Sequence, residues 1–355
     1  MITWRKIMKF KKIIAVLAAL CISVGVSGVL IPSTDALDES YEVSATYKAS
    51  EYYENLKDLQ LGGDQVANVI AVALSQLGYH EGDSESDFGG MNADGTGDFV
   101  EYNMIVGKLY DKEIDDYSYG FSWCASFATW CLRQAGVSEE QSVQVVEFNE
   151  DYTTTYRSCF QWKKAFEAAE LFQEKGEYTP KAGDIIFFKD VDDPTLKISA
   201  SHVGIVLFAD ETTVYTVEGN TNSTFESGSV SDCVAVKEYS LDSKYIVGYG
   251  TPKYESDGAK QLVGWRVESS VSRPATLEEL YSEIRVGKQV VPVWDDDPQA
   301  IITNVLKISA VILIVAVFAA VVTLMLVTIF KKKPESAPKN NRVRESRKSR
   351  NKYHK

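Results

Sequence analysis

Few residues in this chain can do acid–base or nucleophilic chemistry near neutral pH. It has three histidines, His80, His202 and His354, and five cysteines, Cys21, Cys124, Cys131, Cys159 and Cys233. A thiol becomes a useful nucleophile only beside a base that holds it as thiolate. Cys124 lies in the run from Phe121 to Cys131, Phe-Ser-Trp-Cys-Ala-Ser-Phe-Ala-Thr-Trp-Cys. Ser122 is suited to cap a helix there, placing Cys124 in the first turn, where the positive end of the helix dipole favours thiolate. The Cys124 amide would then face a developing oxyanion. The base is expected on the run from Ala200 to Phe208, which reads as a strand with His202, Gly204 and Val206 on one face. A turn at Asp210 and Glu211 returns the chain through Val214–Asn220 and brings His202 opposite Glu218–Asn220. Glu218 and Asn220 point the same way, and either could fix the imidazole tautomer. On pattern alone, a cysteine near a helix start and a histidine on a strand are more often structural. Cys131, Cys159 and Cys233 are expected as small apolar core residues, without disulfides.

Such a pair must be positioned by elements of both kinds. Asp64–Leu77 carries Val66, Val69, Ile70, Ala73, Leu74 and Leu77 at helical spacing, with Gly78 as a stop. Ser122–Ala135 and Tyr156–Phe172 read as further helices, and His80–Asp98 as a long loop. After these come short β-type runs at Asp184–Asp190, His202–Ala209, Thr213–Asn220, Cys233–Tyr239 and Ile246–Gly250. Helices followed by an antiparallel sheet give an α+β class.

Charge divides the 355 residues further. The whole chain is −13, yet residues 331–355 hold eleven Lys or Arg against two Glu, and residues 1–12 hold five with no acid. The middle is therefore strongly acidic, which argues against nucleic acid as a partner of the folded part. Arg5 to Lys12, the apolar run Ile13–Leu30 and the small residues before Ala36 read as a secretory signal or signal anchor. Ile308–Phe330 is free of charge and long enough to cross a bilayer, and Lys331, Lys332 and Lys333 follow it. The expected order is signal (1–36), linker (37–63), catalytic domain (64–254), stalk (255–307), transmembrane helix (308–330) and basic cytoplasmic tail (331–355). The domain would then lie outside a single-pass membrane anchor.

Four blocks taken in order resemble the CHAP family of cysteine, histidine-dependent amidohydrolases and peptidases. They are Trp123-Cys124-Ala125-Ser126-Phe127 with Trp130-Cys131, Ala182 to Phe188, Ser201 to Val206, and Glu218-Gly219-Asn220-Thr221; Val247 to Gly250 resembles the domain end. The resemblance covers about residues 64–254. It implies a papain-like fold, with helices that carry the nucleophile packed on an antiparallel sheet. It also implies Cys124 as nucleophile, His202 as base, Glu218 as orienter and Asn220 as a further polar member. The substrate implied is peptidoglycan, cut at the sugar–peptide amide or within the peptides. Two rivals stand beside this reading: a non-catalytic wall-binding or scaffold module of an envelope complex, and a papain-like protease acting on proteins. No cofactor is required by the chemistry. Asn92, Asp94, Gly95, Asp98 and Glu101 partly match a calcium loop, but Gly90 stands at its first position, so a plain polar loop is expected and no metal.

Overall fold

The structure is a computed structural model. It describes residues 43–83, 97–104, 120–144, 156–189, 200–225, 228–256, 260–268, 270, 273–296 and 312–323. The helices in chain order are α1 (Ala45–Lys48), α2 (Glu51–Lys57), α3 (Gln65–Leu74), α4 (Cys124–Gln134), α5 (Cys159–Ala168) and α6 (Tyr281–Arg285). The strands are β1 (Phe172–Glu174), β2 (Ile185–Phe188), β3 (His202–Ala209), β4 (Thr213–Phe225), β5 (Gly228–Ser240), β6 (Ile246–Gly250), β7 (Leu262–Val267) and β8 (Val290–Trp294). The α+β expectation is met.

Six strands form an antiparallel sheet in the order β1-β6-β2-β3-β4-β5. Alternation divides its side chains between two layers. Ile185, Phe187, Val203, Ile205, Leu207 and Val217 enter the main core, whereas Ile186, Phe188, Val206 and Val214 enter a second cluster. The nucleophile helix α4 packs on β3 and β4 and against α3. It is buried almost all round, with Phe127, Ala128, Trp130 and Cys131 each at most 1 % exposed. A core helix rather than a surface amphipathic one results. α3 starts at Asp64, whose side chain accepts from the Ala67 amide, and the chain turns at Gly78 with φ 86°.

Several sequence expectations need correction. The helix expected over Tyr156–Phe172 is shorter, because Phe172–Glu174 pairs with β6 as an edge strand. The segment expected as a linker is part of the body. Ser50 caps α2, Tyr47, Leu56, Leu59 and Leu61 are buried, and the Ser44 hydroxyl donates to Glu101 at 2.6 Å. The segment expected as a stalk is likewise packed. β7 and β8 form a two-stranded sheet, and Trp265, Leu277, Ile284, Val290 and Trp294 join the main core. Trp294 donates from Nε1 to the Gln60 carbonyl at 2.6 Å, and a Cβ on Gly62 would lie 2.5 Å from its ring. In the turn ahead of α6 the Glu279 amide meets Thr276 Oγ1 and the Thr276 amide meets Glu279 Oε2.

Residues 301–355 make a separate unit, of which 312–323 are described and helical, with every residue exposed. No helix among the described residues is long and apolar enough to cross a membrane, and of the expected span 308–330 only 312–323 is described. The signal and the basic tail lie outside the described residues.

Candidate active site

Cys124 is the first residue of α4, and Trp123 is its N-cap. The capping role expected of Ser122 is not observed, because no side chain caps this helix. The first-turn amides have no partner within a helix, and a side-chain cap would have consumed one of them. At Cys124 they remain free of a side-chain cap, as donors to a developing oxyanion must be. Trp123 is fixed from behind. It is fully buried, its Nε1 donates to Glu81 Oε2 at 2.9 Å, and its ring packs on Tyr102 with centroids 5.6 Å apart.

His202 opens β3, and Glu218 reaches it from β4. Around the pairs Ile205↔Val217 and Val206↔Thr216, continued register sets Gly204 against Glu218 and His202 against Asn220. Glu218 therefore approaches the imidazole along the diagonal. Gly204 makes the approach possible, since a Cβ there would lie 2.6 Å from Glu218 Cγ. Gly219 serves the opposite contact: a Cβ there would lie 2.6 Å from Phe127 Cβ and 2.7 Å from the Trp123 ring. The two glycines thus let the base's partner and the nucleophile helix both close on the same hairpin.

Cys124 and His202 act on each other electrostatically, the imidazole lowering the thiol and the thiolate raising the imidazole, and His202 Nε2 meets Glu218 Oε2 at 2.9 Å. With Nε2 on the carboxylate, Nδ1 is the nitrogen left for sulfur. Thr216 Oγ1 donates to Glu218 Oε1 at 2.5 Å and Tyr239 donates its hydroxyl to Oε2 at 3.1 Å. Glu218 is wholly buried, while the His202 side chain is 25 % exposed. The carboxylate is thus held by three partners in the interior and the ring faces the outside.

Electrostatics follow from this order. A hydrogen bond from Cys159 lowers the Cys124 thiol well below its ordinary value; burial opposes this, and the His202 charge and the Val203 amide add to it. Burial disfavours charge on His202, but the Cys124 thiolate and Glu218 outweigh it and push the imidazole up to about 10. A thiolate–imidazolium pair is therefore the resting state over the neutral range.

Asn220 departs from expectation. It sits at φ 56°, and its Nδ2 points to Asp98 Oδ1 at 3.4 Å rather than to the imidazole. Its left-handed backbone turns the side chain off the strand's alternation. It joins a second wall made of Glu81, Asp98 and Trp123. Burial pushes the Glu81 carboxyl up to about 7, against the Trp123 hydrogen bond, and burial also raises Asp98. Of the partial calcium-loop pattern, Asp98 thus faces Asn220 and Glu101 holds Ser44, while positions 92–95 lie outside the described residues. His80 Nδ1 meets the Glu81 carbonyl at 3.0 Å, behind the wall that Glu81 forms with Trp123 rather than on the His202–Glu218 pair.

Reading the sequence missed Cys159, whose Sγ lies 3.5 Å from Cys124 Sγ, and missed Thr216 and Tyr239. Thr216 carried a signal, being two residues from Glu218 and so on its face of β4. Cys159 carried only a faint one, its place after Ser158 at a helix start.

A thiol, an imidazole and a buried carboxylate in this order are the groups that cysteine-dependent acyl transfer uses. Residues 116–220 match the CHAP domain family model, a span that begins ahead of α4 and ends on Asn220. This part of the chain is a CHAP domain, and such domains are generally cysteine, histidine-dependent amidohydrolases of the peptidoglycan amidase or peptidase type. No curated protein matches the chain.

Proposed function

We propose that the chain is a cell-surface cysteine hydrolase that cuts an amide bond of peptidoglycan, either between sugar and stem peptide or within the peptide. The observation that carries this is the His202–Glu218 pair, 2.9 Å apart, with its imidazole acting on the Cys124 thiol inside the CHAP match. In the first step the Cys124 thiolate attacks the amide carbonyl carbon and forms a C–S bond. The negative charge moves to oxygen, against the uncapped amides at the start of α4. The His202 imidazolium gives its proton to the leaving nitrogen, and the C–N bond breaks. Neutral His202 then takes a proton from water, whose oxygen attacks the thioester, and Cys124 leaves as thiolate. Glu218 holds the ring throughout. The residues present complete these steps without a metal.

For placement, we propose that Ile308–Phe330 anchors the chain, with the CHAP domain outside and residues 331–355 inside. The support is the charge-free run followed by three lysines and the apolar, basic-flanked N-terminal run. A tethered enzyme acts on wall near the membrane, which suits local remodelling.

The test is digestion of purified peptidoglycan by the purified protein, with mass spectrometry of the released fragments. Expected are new amine and carboxyl ends at one type of amide bond, absent with Cys124→Ala. Wall binding without cleavage by the unaltered protein would favour the scaffold reading. Cleavage of proteins with the wall left intact would favour the protease reading.

A further inference from the structure

The nucleophile has two neighbours, and the mechanism uses one. On one side of Cys124 is His202. On the other is Cys159, with the two sulfurs 3.5 Å apart. This contact is built into the fold. Cys124 and Cys159 are the first residues of α4 and α5, so two helix starts converge on one point. α5 is pinned by Ser158, whose hydroxyl accepts from the Gln161 amide, and by Trp162, which donates to the Ser142 carbonyl and packs edge-on to Phe187 at 6.1 Å. Both thiols are 5 % exposed at residue level and neither is in a disulfide. The other described cysteines, Cys131 and Cys233, are fully buried, and in hydrolysis Cys159 does no more than hydrogen-bond to the Cys124 sulfur.

We propose that Cys124 and Cys159 form a reversible disulfide, with Cys159 as the resolving thiol, so that the hydrolase site is also a site of oxidative modification. A disulfide sulfur pair is about 2.05 Å apart, so closing the gap needs a movement of roughly 1.5 Å, within reach of side-chain rotation. The oxidant class is a hydroperoxide. The Cys124 thiolate attacks one peroxide oxygen, the O–O bond breaks, and hydroxide leaves and is protonated to water. Cys124 is now a sulfenic acid, S–OH. The Cys159 sulfur attacks that sulfur, an S–S bond forms, and hydroxide departs with the Cys159 proton as a second water. Two thiols and one hydrogen peroxide give one disulfide and two waters. The sulfur so captured cannot attack an amide. It is also kept from further oxidation to sulfinic acid, which thiols do not reverse.

This inference adds a redox role to the hydrolase reading, and its chemistry is readable without it. Full-length protein is reduced, freed of reductant, treated with hydrogen peroxide and mapped by mass spectrometry without reduction. The expected result is one cross-linked peptide joining Cys124 to Cys159, two hydrogens lighter than the sum of its parts. Sulfinic acid at Cys124 with Cys159 still a free thiol would overturn the proposal. This arm uses the unaltered chain, so no variant needs to fold. A second arm compares Cys159→Ser and Cys159→Ala, each normalised to its own reduced activity. After peroxide and then dithiothreitol, the unaltered chain should regain nearly all its activity and the variants less than about a tenth, through over-oxidation. Equal recovery would count against Cys159 as resolver. Absence of wall cleavage by every reduced protein would instead sink the hydrolase reading, while the peptide map would still decide the disulfide.

Discussion

Cys124 stands between two walls of different make. On one side the strands supply His202, Glu218, Thr216 and Tyr239, a chain of hydrogen bonds that ends in a wholly buried carboxylate. On the other side Glu81, Asp98, Trp123 and Asn220 come together from loops, a cap position and a left-handed turn. Both walls bury carboxyl groups. On the strand wall the carboxylate faces an imidazolium and two hydroxyl donors. On the loop wall two carboxyls are near each other, and the side chains that donate to them, the Trp123 indole and the Asn220 amide, are neutral. Glu81 is accordingly pushed up to about 7 by burial. On the loop wall burial is the main cause that raises Glu81, with the charge of Asp98 adding to it. The strand wall thus joins its carboxylate to the imidazole, whereas the loop wall holds a carboxyl whose protonation changes near neutral pH.

Substitutions can break this contrast, and the largest effects belong on the strand wall. Cys124→Ala or His202→Ala should lower wall cleavage by about 10⁴-fold or more with the melting temperature little changed, because members of such a unit fail together. Full lytic activity in a folded Cys124→Ala protein would end the assignment. Glu218→Gln should cost less, about 10²-fold in kcat, since the ring remains but loses its ionic partner. It should also lower the pH at which the imidazolium titrates, which in the unaltered protein is about 10. A Glu218→Gln enzyme with an unaltered alkaline limb would show that the carboxylate does not act through His202.

The loop wall should respond more weakly. Asn220→Gly keeps the left-handed backbone and removes only the amide that meets Asp98. Its effect on kcat should be no more than about fivefold, the worth of one hydrogen bond. A loss of 10²-fold or more, roughly 2.7 kcal/mol, would place Asn220 in the catalytic line after all. The smallest effect is one of stability. The folded-state value of Glu81 is raised from 4.5 to about 7, so the fold holds this proton more tightly than the unfolded chain. That contribution is complete below about 4.5 and is lost as pH rises through about 7. Thermal melts should therefore fall over this interval, and Glu81→Gln should flatten the fall. An unchanged slope in the variant would remove Glu81 as its source.

How much of this could be read from sequence depended on how far apart the partners lie in the chain. The hairpin that joins His202 to Glu218 spans sixteen residues, and alternation about one turn sufficed to place it. The nucleophile helix was legible from one local run. Its cap was not, because Trp123 is placed by Glu81, forty-two residues away, and not by its own neighbours. Cys159 was missed because nothing local shows that two helix starts converge. The segment before the domain reads as a linker because it is polar and mixed, and the segment after it reads as a stalk because it is too small for a core of its own. They gain one together on the central body: Trp294 bonds to Gln60 across 234 residues, and Glu101 holds Ser44 across 57. Asn220 was misplaced by a positive φ that strand alternation does not foretell.

The central claim is that Cys124 rests as a thiolate beside a charged His202. The direct measurement is thiolate ultraviolet absorbance against pH, taken as the difference between the unaltered protein and Cys124→Ala. The expected result is a full thiolate signal already present at pH 7, lost only well on the acid side, with His202→Ala shifting the midpoint upward. A signal that appears only around pH 8.5, the range of an ordinary thiol, and does not move in His202→Ala would contradict it.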